Sequence, residues 1–170
     1  FLIPLVSRRS KTLSEVLGNL ATLSVLVISL ILFQTRGVYK IGGWVPPIGI
    51  NWVLDGLSNL MLVIINLISF AATFFSIKYM QRYTALYKYY SLFLLMVAGM
   101  NGVVLTGDLF NLFVFLEIAA IASYALVAFG TEHEELEAAF KYLVLGSIGS
   151  TLILLGIALL YGTTGYLNMA

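Results

Sequence analysis

Cysteine is absent from this chain of 170 residues, and histidine occurs once, at His133. Disulfides, thiolate metal sites and cysteine nucleophiles are therefore excluded, and a single histidine cannot build a histidine-rich metal cluster. We expect no cofactor, no metal ion and no catalytic residues for a soluble substrate. Charge is scarce too, since charged residues make up 10% of the chain and the formal net charge is +1. Such a composition lacks the basic patch that a nucleic-acid partner needs.

Hydrophobic residues dominate instead. They make up 61% of the chain and the mean hydropathy is +1.01, whereas a soluble domain has about 25% charged residues. Apolar stretches of about 20 residues, the length that crosses a bilayer as a helix, recur along the sequence. The predicted fold is an all-α polytopic membrane protein, a transmembrane helix bundle forming one domain over residues 1–170, in contact with lipid.

Six spans are predicted. The first is an apolar stub over residues 1–6, which we interpret as the end of a truncated helix, so the chain is expected to be a fragment of a longer protein. The apolar run 89–129 would be about 60 Å long as one helix, twice the thickness of the hydrocarbon layer, so it must fold back at Thr106-Gly107-Asp108. The other five spans are expected at about 16–33, 56–77, 89–105, 109–129 and 138–160.

The segments beside the spans also carry local signals. Asp55 and Asp108 each stand where a side-chain acceptor would cap the following span, although Asp108 could alternatively form an ion exit. Loop 35–54 contains paired glycines and paired prolines among alternating apolar residues, and we expect a short β-hairpin on the external face. Small residues in the last span should allow another helix to approach closely. They are Gly146, Gly149, Ser150 and Gly156.

The basic residues predict the orientation. Seven of the nine fall on one side of this topology and two on the other, which is the bias of cytoplasmic loops. We therefore expect the loops after spans one, three and five to be cytoplasmic. The seven are Arg8, Arg9, Lys11, Lys78, Arg82, Lys88 and Lys141, and the two are Arg36 and Lys40.

Glu117 is the carboxylate that lies far from both ends of its span, eight residues after Leu109 and twelve before Phe129. A charge at that depth costs about 2.5–3.5 kcal/mol on the insertion scale. Either the carboxyl is neutral, or it is ionised opposite a cation or an internal chain of water. Both states suit a proton or cation relay. The alternative is a protonated glutamate that hydrogen-bonds a neighbouring helix as a packing contact.

Lys141 and His133 are weaker candidates for the same path. Lys141 is expected one turn into the last span, about 10–15 Å from Glu117 along the membrane normal, which is too far for a direct pair. It either contributes to a hydrated path or is an interfacial lysine paired with Glu137, four residues earlier. His133, in the acidic loop 132–135, could collect protons near neutral pH or be an ordinary solvated residue.

The stretch GDLFNLFVFLEI at 107–118, followed by SYAL at 123–126, resembles the fifth helix of the D subunit of Mrp-type cation/proton antiporters. Three further stretches are similar to the same family, whose relatives occur in respiratory complex I and membrane-bound hydrogenases. They are GGWVPPIGI at 42–50 with DGLS at 55–58, EAAFKYL at 137–143, and TGYLNMA at 164–170. The resemblance covers nearly the whole chain and is most specific over 107–124.

This resemblance implies that Glu117 is the family's helix-five glutamate, which works in an ion channel with a lysine on helix seven. That lysine would lie beyond Ala170, and Lys141 matches a lysine that some relatives carry. The implied function is to move protons, or to exchange Na+ for H+, through a half-channel centred on Glu117. The implied setting is a multi-subunit complex in a prokaryotic inner membrane. Two alternatives stay open: a proton-pumping module of a redox-driven complex, either a hydrogenase or an NADH, ferredoxin or quinone oxidoreductase, and a structural transmembrane scaffold.

Overall fold

Five long helices dominate the computed structural model, which describes residues 11–44, 49–83 and 85–169. Each is long and apolar enough to cross a membrane, which confirms the all-α membrane fold. The helices correspond to predicted spans two to six, while the predicted stub at 1–6 lies outside the described residues. Their bounds are α1 Lys11–Ile31, α2 Gly56–Tyr79, α3 Leu86–Leu105, α4 Leu109–Val127 and α5 His133–Thr164.

Several helices extend further than the predicted spans. Helix α5 begins at His133 instead of near residue 138 and ends at Thr164 instead of near 160, and α1 begins at Lys11 instead of residue 16. The predicted spans followed the charge-free runs, which mark the hydrocarbon layer, whereas a helix can continue into the polar interface. In α5 a capping box between Glu132 and Glu135 starts the helix within the acidic segment.

The connection between α1 and α2 contains the predicted hairpin. Strands β1 (Gly37–Lys40) and β2 (Asn51–Leu54) are antiparallel and pair Gly37 with Leu54. Asp55 then caps α2 as predicted, because its carboxylate accepts the Ser58 amide at 2.8 Å. We call this side of the bundle, with the hairpin and the turn at 106–108, the hairpin end. The opposite side, where α1 and α5 begin, is the basic end.

Helices α1, α2 and α3 pack together, α4 packs on α3, and α5 packs on α4. The buried face of α2 is mostly polar and bonds across to its neighbours. Its buried polar residues are Ser58, Asn59, Asn66, Ser69, Thr73 and Ser76. Thr73 bonds Thr22 of α1 at 2.8 Å, and Ser76 bonds Tyr90 of α3 at 3.1 Å. Polar contacts of this kind hold membrane helices together, because lipid gives no hydrophobic drive for association.

Hydrogen bonds at the hairpin end join distant segments of the chain. The Gly107 amide donates to the Asn51 carbonyl at 2.9 Å, and the Leu109 amide donates to the Leu167 carbonyl at 2.8 Å. The Asn168 side chain donates to the Asn51 amide oxygen at 2.7 Å. The turn between α3 and α4 is therefore fixed both by the hairpin and by the segment that follows α5.

Candidate functional site

Glu117 lies near the middle of α4, whose nineteen residues run from Leu109 to Val127. At 1.5 Å per residue it is about 12 Å from the hairpin-end residue and about 15 Å from the basic-end residue of that helix. Its side chain is half-buried. Glu117 therefore lies in the interior of a span in the structure, as the sequence predicted.

Helix α4 is held tightly against α3 on one side. A β-carbon on Gly99 would lie 2.7 Å from the Ala119 amide nitrogen, and one on Gly102 would lie 2.2 Å from the Phe115 ring. Glycine at both positions of α3 therefore allows the two backbones to approach closely. Phe115 and Ala119 each lie two residues from Glu117, so Glu117 projects from a different side of α4.

The side of α4 that carries Glu117 also carries Tyr124, seven residues and two turns later. Tyr124 packs edge-on against Tyr142 of α5, with ring centroids 4.7 Å apart, and its hydroxyl lies against Gly146. Ser123 completes the contact, with its hydroxyl 3.4 Å from that of Tyr142. Glu117 therefore lies on the side of α4 next to α5.

No hydrogen bond or ion pair reaches the Glu117 carboxylate within residues 11–44, 49–83 and 85–169. Its oxygens are not among the fully buried polar atoms that lack a hydrogen-bond partner. Counting along the antiparallel helices from the Ser123–Tyr142 and Tyr124–Gly146 contacts places Glu117 opposite a stretch between about residues 148 and 153 of α5. That stretch includes Gly149, beside which an added β-carbon would meet nothing within 4 Å in this part of the chain. Among the described residues, the acid therefore has no fixed hydrogen-bonding or charged partner.

Lys141 does not reach Glu117. It pairs with Glu137 at 2.5 Å in the predicted i,i+4 arrangement, with side chains 69% and 50% exposed. Tyr142, the next residue, contacts Ser123, which is six residues and about 9 Å from Glu117 along α4. The structure therefore places Lys141 toward the basic end, on the surface of α5.

His133 also lies apart from Glu117. It was predicted in a loop, but it is the first residue of α5 and is exposed. The prediction was wrong about the local structure because the Glu132–Glu135 capping box starts a helix there. Asp108 takes the predicted capping role, since its carboxylate accepts the Asn111 amide at 2.8 Å. Within the described residues, no group of three or more histidine, cysteine or acidic side chains could hold a metal ion.

Sequence reasoning missed Tyr124 and Tyr142 as neighbours of the site. The seven-residue spacing from Glu117 to Tyr124 was visible, but the approach of Tyr142 depends on how α5 packs. Of the small residues predicted to allow close approach, Gly146 does so, whereas Gly149 and Gly156 have no atom within 4 Å of an added β-carbon in the described residues. A helix-period pattern identifies small residues without showing which of them meets a neighbour.

These features define a polytopic helical membrane protein with a half-buried acid inside one of its spans. Two family models match the sequence: "NADH:quinone oxidoreductase/Mrp antiporter, TM" over residues 106–170, and "NADH-Ubiquinone oxidoreductase (complex I), chain 5 N-terminus" over residues 44–90. The chain belongs to the family of antiporter-like membrane subunits that Mrp antiporters and complex I share, as the motifs predicted.

Individual relatives are similar to this chain over nearly its whole length. The D subunit of a probable K(+)/H(+) antiporter of Rhizobium meliloti (strain 1021) is 41% identical, over 99% of this chain and 33% of the relative. A chain of the membrane-bound sulfane sulfur reductase, an archaeal respiratory membrane complex, matches with a TM-score of 0.93 and 40% identity, over 99% of this chain and 36% of that one. A chain of the Mrp complex from Dietzia sp. DQ12-45-1b matches with a TM-score of 0.87 and 31% identity, over 98% of this chain and 32% of that one. This chain spans about a third of the length of these relatives.

Proposed function

We propose that this chain is part of an ion-translocating membrane protein that moves protons, or exchanges Na+ for H+, with Glu117 as the residue that binds or releases the ion. The observation that carries the proposal is the position of Glu117. It is half-buried inside a membrane span, and no hydrogen bond or ion pair reaches it within the described residues. Intramembrane acids are costly and generally serve ion pathways.

The surroundings of Glu117 suit a change of protonation or pairing. A carboxylate fixed by hydrogen bonds would resist such a change, whereas no hydrogen bond or ion pair holds Glu117 in the part of the chain that the structure describes. Its partner would then be a cation or a chain of water supplied by another segment. Lys141 and His133 lie nearer the basic end, so we assign them at most a role at the entrance of the path.

The proposal includes an orientation and partners. We infer that the basic end faces the cytoplasm, because the topology predicted from the sequence puts seven of the nine basic residues on that side. We also infer that the chain works beside other membrane subunits, since both structural relatives are chains of multi-subunit complexes.

The test is cation-dependent dissipation of a pH gradient in inverted vesicles that carry the whole complex. Glu117→Gln keeps the shape of the side chain but cannot ionise, and we expect exchange to be lost while the complex still assembles. Glu134→Gln is the matched control, since Glu134 is an exposed acid in the first turn of α5. Exchange that survives Glu117→Gln at equal expression would mean that Glu117 is a packing residue of a scaffold.

A second candidate is a proton-pumping module of a redox-driven complex. It is favoured by the likeness, at a TM-score of 0.93, to a chain of an archaeal respiratory complex. These 170 residues have no cysteine for an iron–sulfur cluster, so the electron chemistry would lie outside them. Iron–sulfur or flavin absorbance in the purified complex would favour this candidate, and complete absence of both would rule it out.

A further inference from the structure

The structure has a cavity of about 490 Å³ at the hairpin end and one of about 470 Å³ at the basic end. The second cavity lies between α3 and α4. Its deep part is lined mainly by apolar residues from the spanning parts of both helices. These are Phe93, Met96, Leu126 and Val127. Its mouth is lined by aromatic residues and one acid, Glu135. Ser123 is the polar residue of the deep lining, so the cavity is mostly apolar at membrane depth and polar where the helices end.

Aromatic rings form one wall of the mouth. Phe129 lies between two tyrosines, with its ring centroid 5.5 Å from that of Tyr83 and 5.7 Å from that of Tyr89. Both contacts are edge-on. A cation within about 6 Å of such a ring is attracted by its negative face, by about 0.5–1 kcal/mol at exposed sites and more where water is excluded.

Glu135 is held at this mouth by the backbone around it. Its carboxylate accepts the Glu132 amide at 3.3 Å in the capping box that starts α5. The carboxylate also lies directly over Gly130, where a β-carbon would come within 2.1 Å of an oxygen. The glycine thus allows the acid to lie against the cavity, and the helix start limits its movement.

A cation lies beside one of the residues at this mouth. The Lys11 ammonium donates to the backbone carbonyl of Tyr83 at 3.3 Å, and Tyr83 lines the cavity. The mouth therefore offers an anionic group with aromatic rings, and the Lys11 ammonium lies beside the backbone of one lining residue, Tyr83. A zwitterionic ligand complements that arrangement, with its positive part toward Glu135 and its negative part toward Lys11.

We propose that this cavity binds a phospholipid with a primary-ammonium headgroup. The ammonium lies by Glu135 and the rings of Tyr89 and Phe129, the phosphate lies toward Lys11, and an acyl chain follows the apolar lining between α3 and α4. A lipid fits better than a lysine side chain of another protein, because the cavity continues from the charged mouth into the apolar, membrane-spanning part of both helices. This proposal does not depend on ion translocation by Glu117.

The test is native mass spectrometry of the whole complex after reconstitution into vesicles of phosphatidylethanolamine and phosphatidylglycerol in equal parts. We expect wild type and Glu134→Gln to retain phosphatidylethanolamine selectively. Glu135→Gln should lower that retention about tenfold, as expected for the loss of one hydrogen bond to a charged group. The glutamine can still accept the Glu132 amide, so the helix start should persist.

A second variant keeps the test informative if Glu135→Gln disturbs folding. Phe129→Leu removes an aromatic wall outside the capping box and should also lower phosphatidylethanolamine retention. Retention that is unchanged in both variants would overturn the proposal and indicate that protein fills the cavity. Equal loss of both lipids would overturn the assignment of the headgroup.

Discussion

The hydroxyl of Tyr124 on α4 lies against the α-carbon of Gly146 on α5, so closely that an added β-carbon would come within 1.8 Å of the tyrosine oxygen. A move of the tyrosine would disturb its edge-on contact with Tyr142, whose ring centroid lies 4.7 Å away. This contact fixes how α5 lies beside the helix that carries Glu117. The packing of α4 against α5 near the candidate ion site therefore depends on glycine, which has no β-carbon, at position 146.

Gly146→Ala should destabilise the protein by about 1–3 kcal/mol, the usual cost of forcing extra atoms into a packed interface. The measurement is thermal unfolding of the detergent-solubilised protein. Gly149→Ala is the matched control on the same helix, since nothing lies within 4 Å of its β-carbon in the described residues. Tyr124→Phe should partly rescue Gly146→Ala by removing the clashing oxygen. Equal melting temperatures for the two alanine variants would contradict this account.

Asn66 and Asn101 should be energetically coupled across the α2–α3 interface. Their side-chain amides exchange hydrogen bonds at 2.9 and 3.2 Å, and Asn66 is 2% exposed. Replacing either residue by leucine removes both of these hydrogen bonds from the remaining amide. We expect a coupling energy of about 0.6 kcal/mol and at most about 1.7 kcal/mol, the average and the maximum measured between membrane helices.

A double-mutant cycle on thermal stability, with Asn66→Leu, Asn101→Leu and the double variant, gives that coupling directly. The double variant should be less destabilised than the sum of the two single variants. Strict additivity would show that the two amides contribute independently, despite their geometry.

Local signals in the sequence predicted much of the fold, whereas contacts between distant segments could not be predicted. The cap at Asp55 followed from its position next to an apolar run, and the capping box with Ser58 is there. The bond between Asn51 and Asn168 joins residues 117 positions apart. No periodicity indicates such a pair, because it forms only after the hairpin and the end of α5 reach the same side of the bundle.

The candidate site shows the same division. The depth of Glu117 followed from counting apolar residues on either side of it. The neighbours of Glu117 could not be predicted in the same way, because the position of Tyr142 depends on the register of α5 against α4. The buried polar face of α2 was also missed, since in a bilayer the apolar residues can face lipid while the polar ones face other helices.

The cap at Asp55 should make the start of α2 sensitive to acid. Hydrogen bonds from the Ser58 amide and hydroxyl lower the pKa of the Asp55 carboxyl below its ordinary value of 3.8. A lowered pKa in the folded state means that the carboxylate stabilises the cap above pH 3.8 and loses this effect as the pH falls through the folded-state value. Protection of the first turn of α2 should therefore decrease in strong acid.

Amide hydrogen exchange of residues 56–60, corrected for intrinsic rates and followed from about pH 6 down to about pH 2, measures this loss through and below the ordinary range of aspartate titration. Asp55→Asn is the control, because its amide oxygen can still accept the Ser58 amide but does not titrate in this range. A pH dependence that is the same in both proteins would assign the acid sensitivity to another group.

The natural absence of cysteine allows a direct test of sidedness. Tyr39, in β1 at the hairpin end, is 66% exposed, and Glu134 is exposed in the first turn of α5 at the basic end. We expect Tyr39→Cys to react with a membrane-impermeant maleimide in intact cells, and Glu134→Cys to react only after the cells are permeabilised. The physical reason is the retention of lysine and arginine on the cytoplasmic side. The reverse pattern would place the basic end outside, and the entrance that we assign to Lys141 and His133 would then open to the exterior.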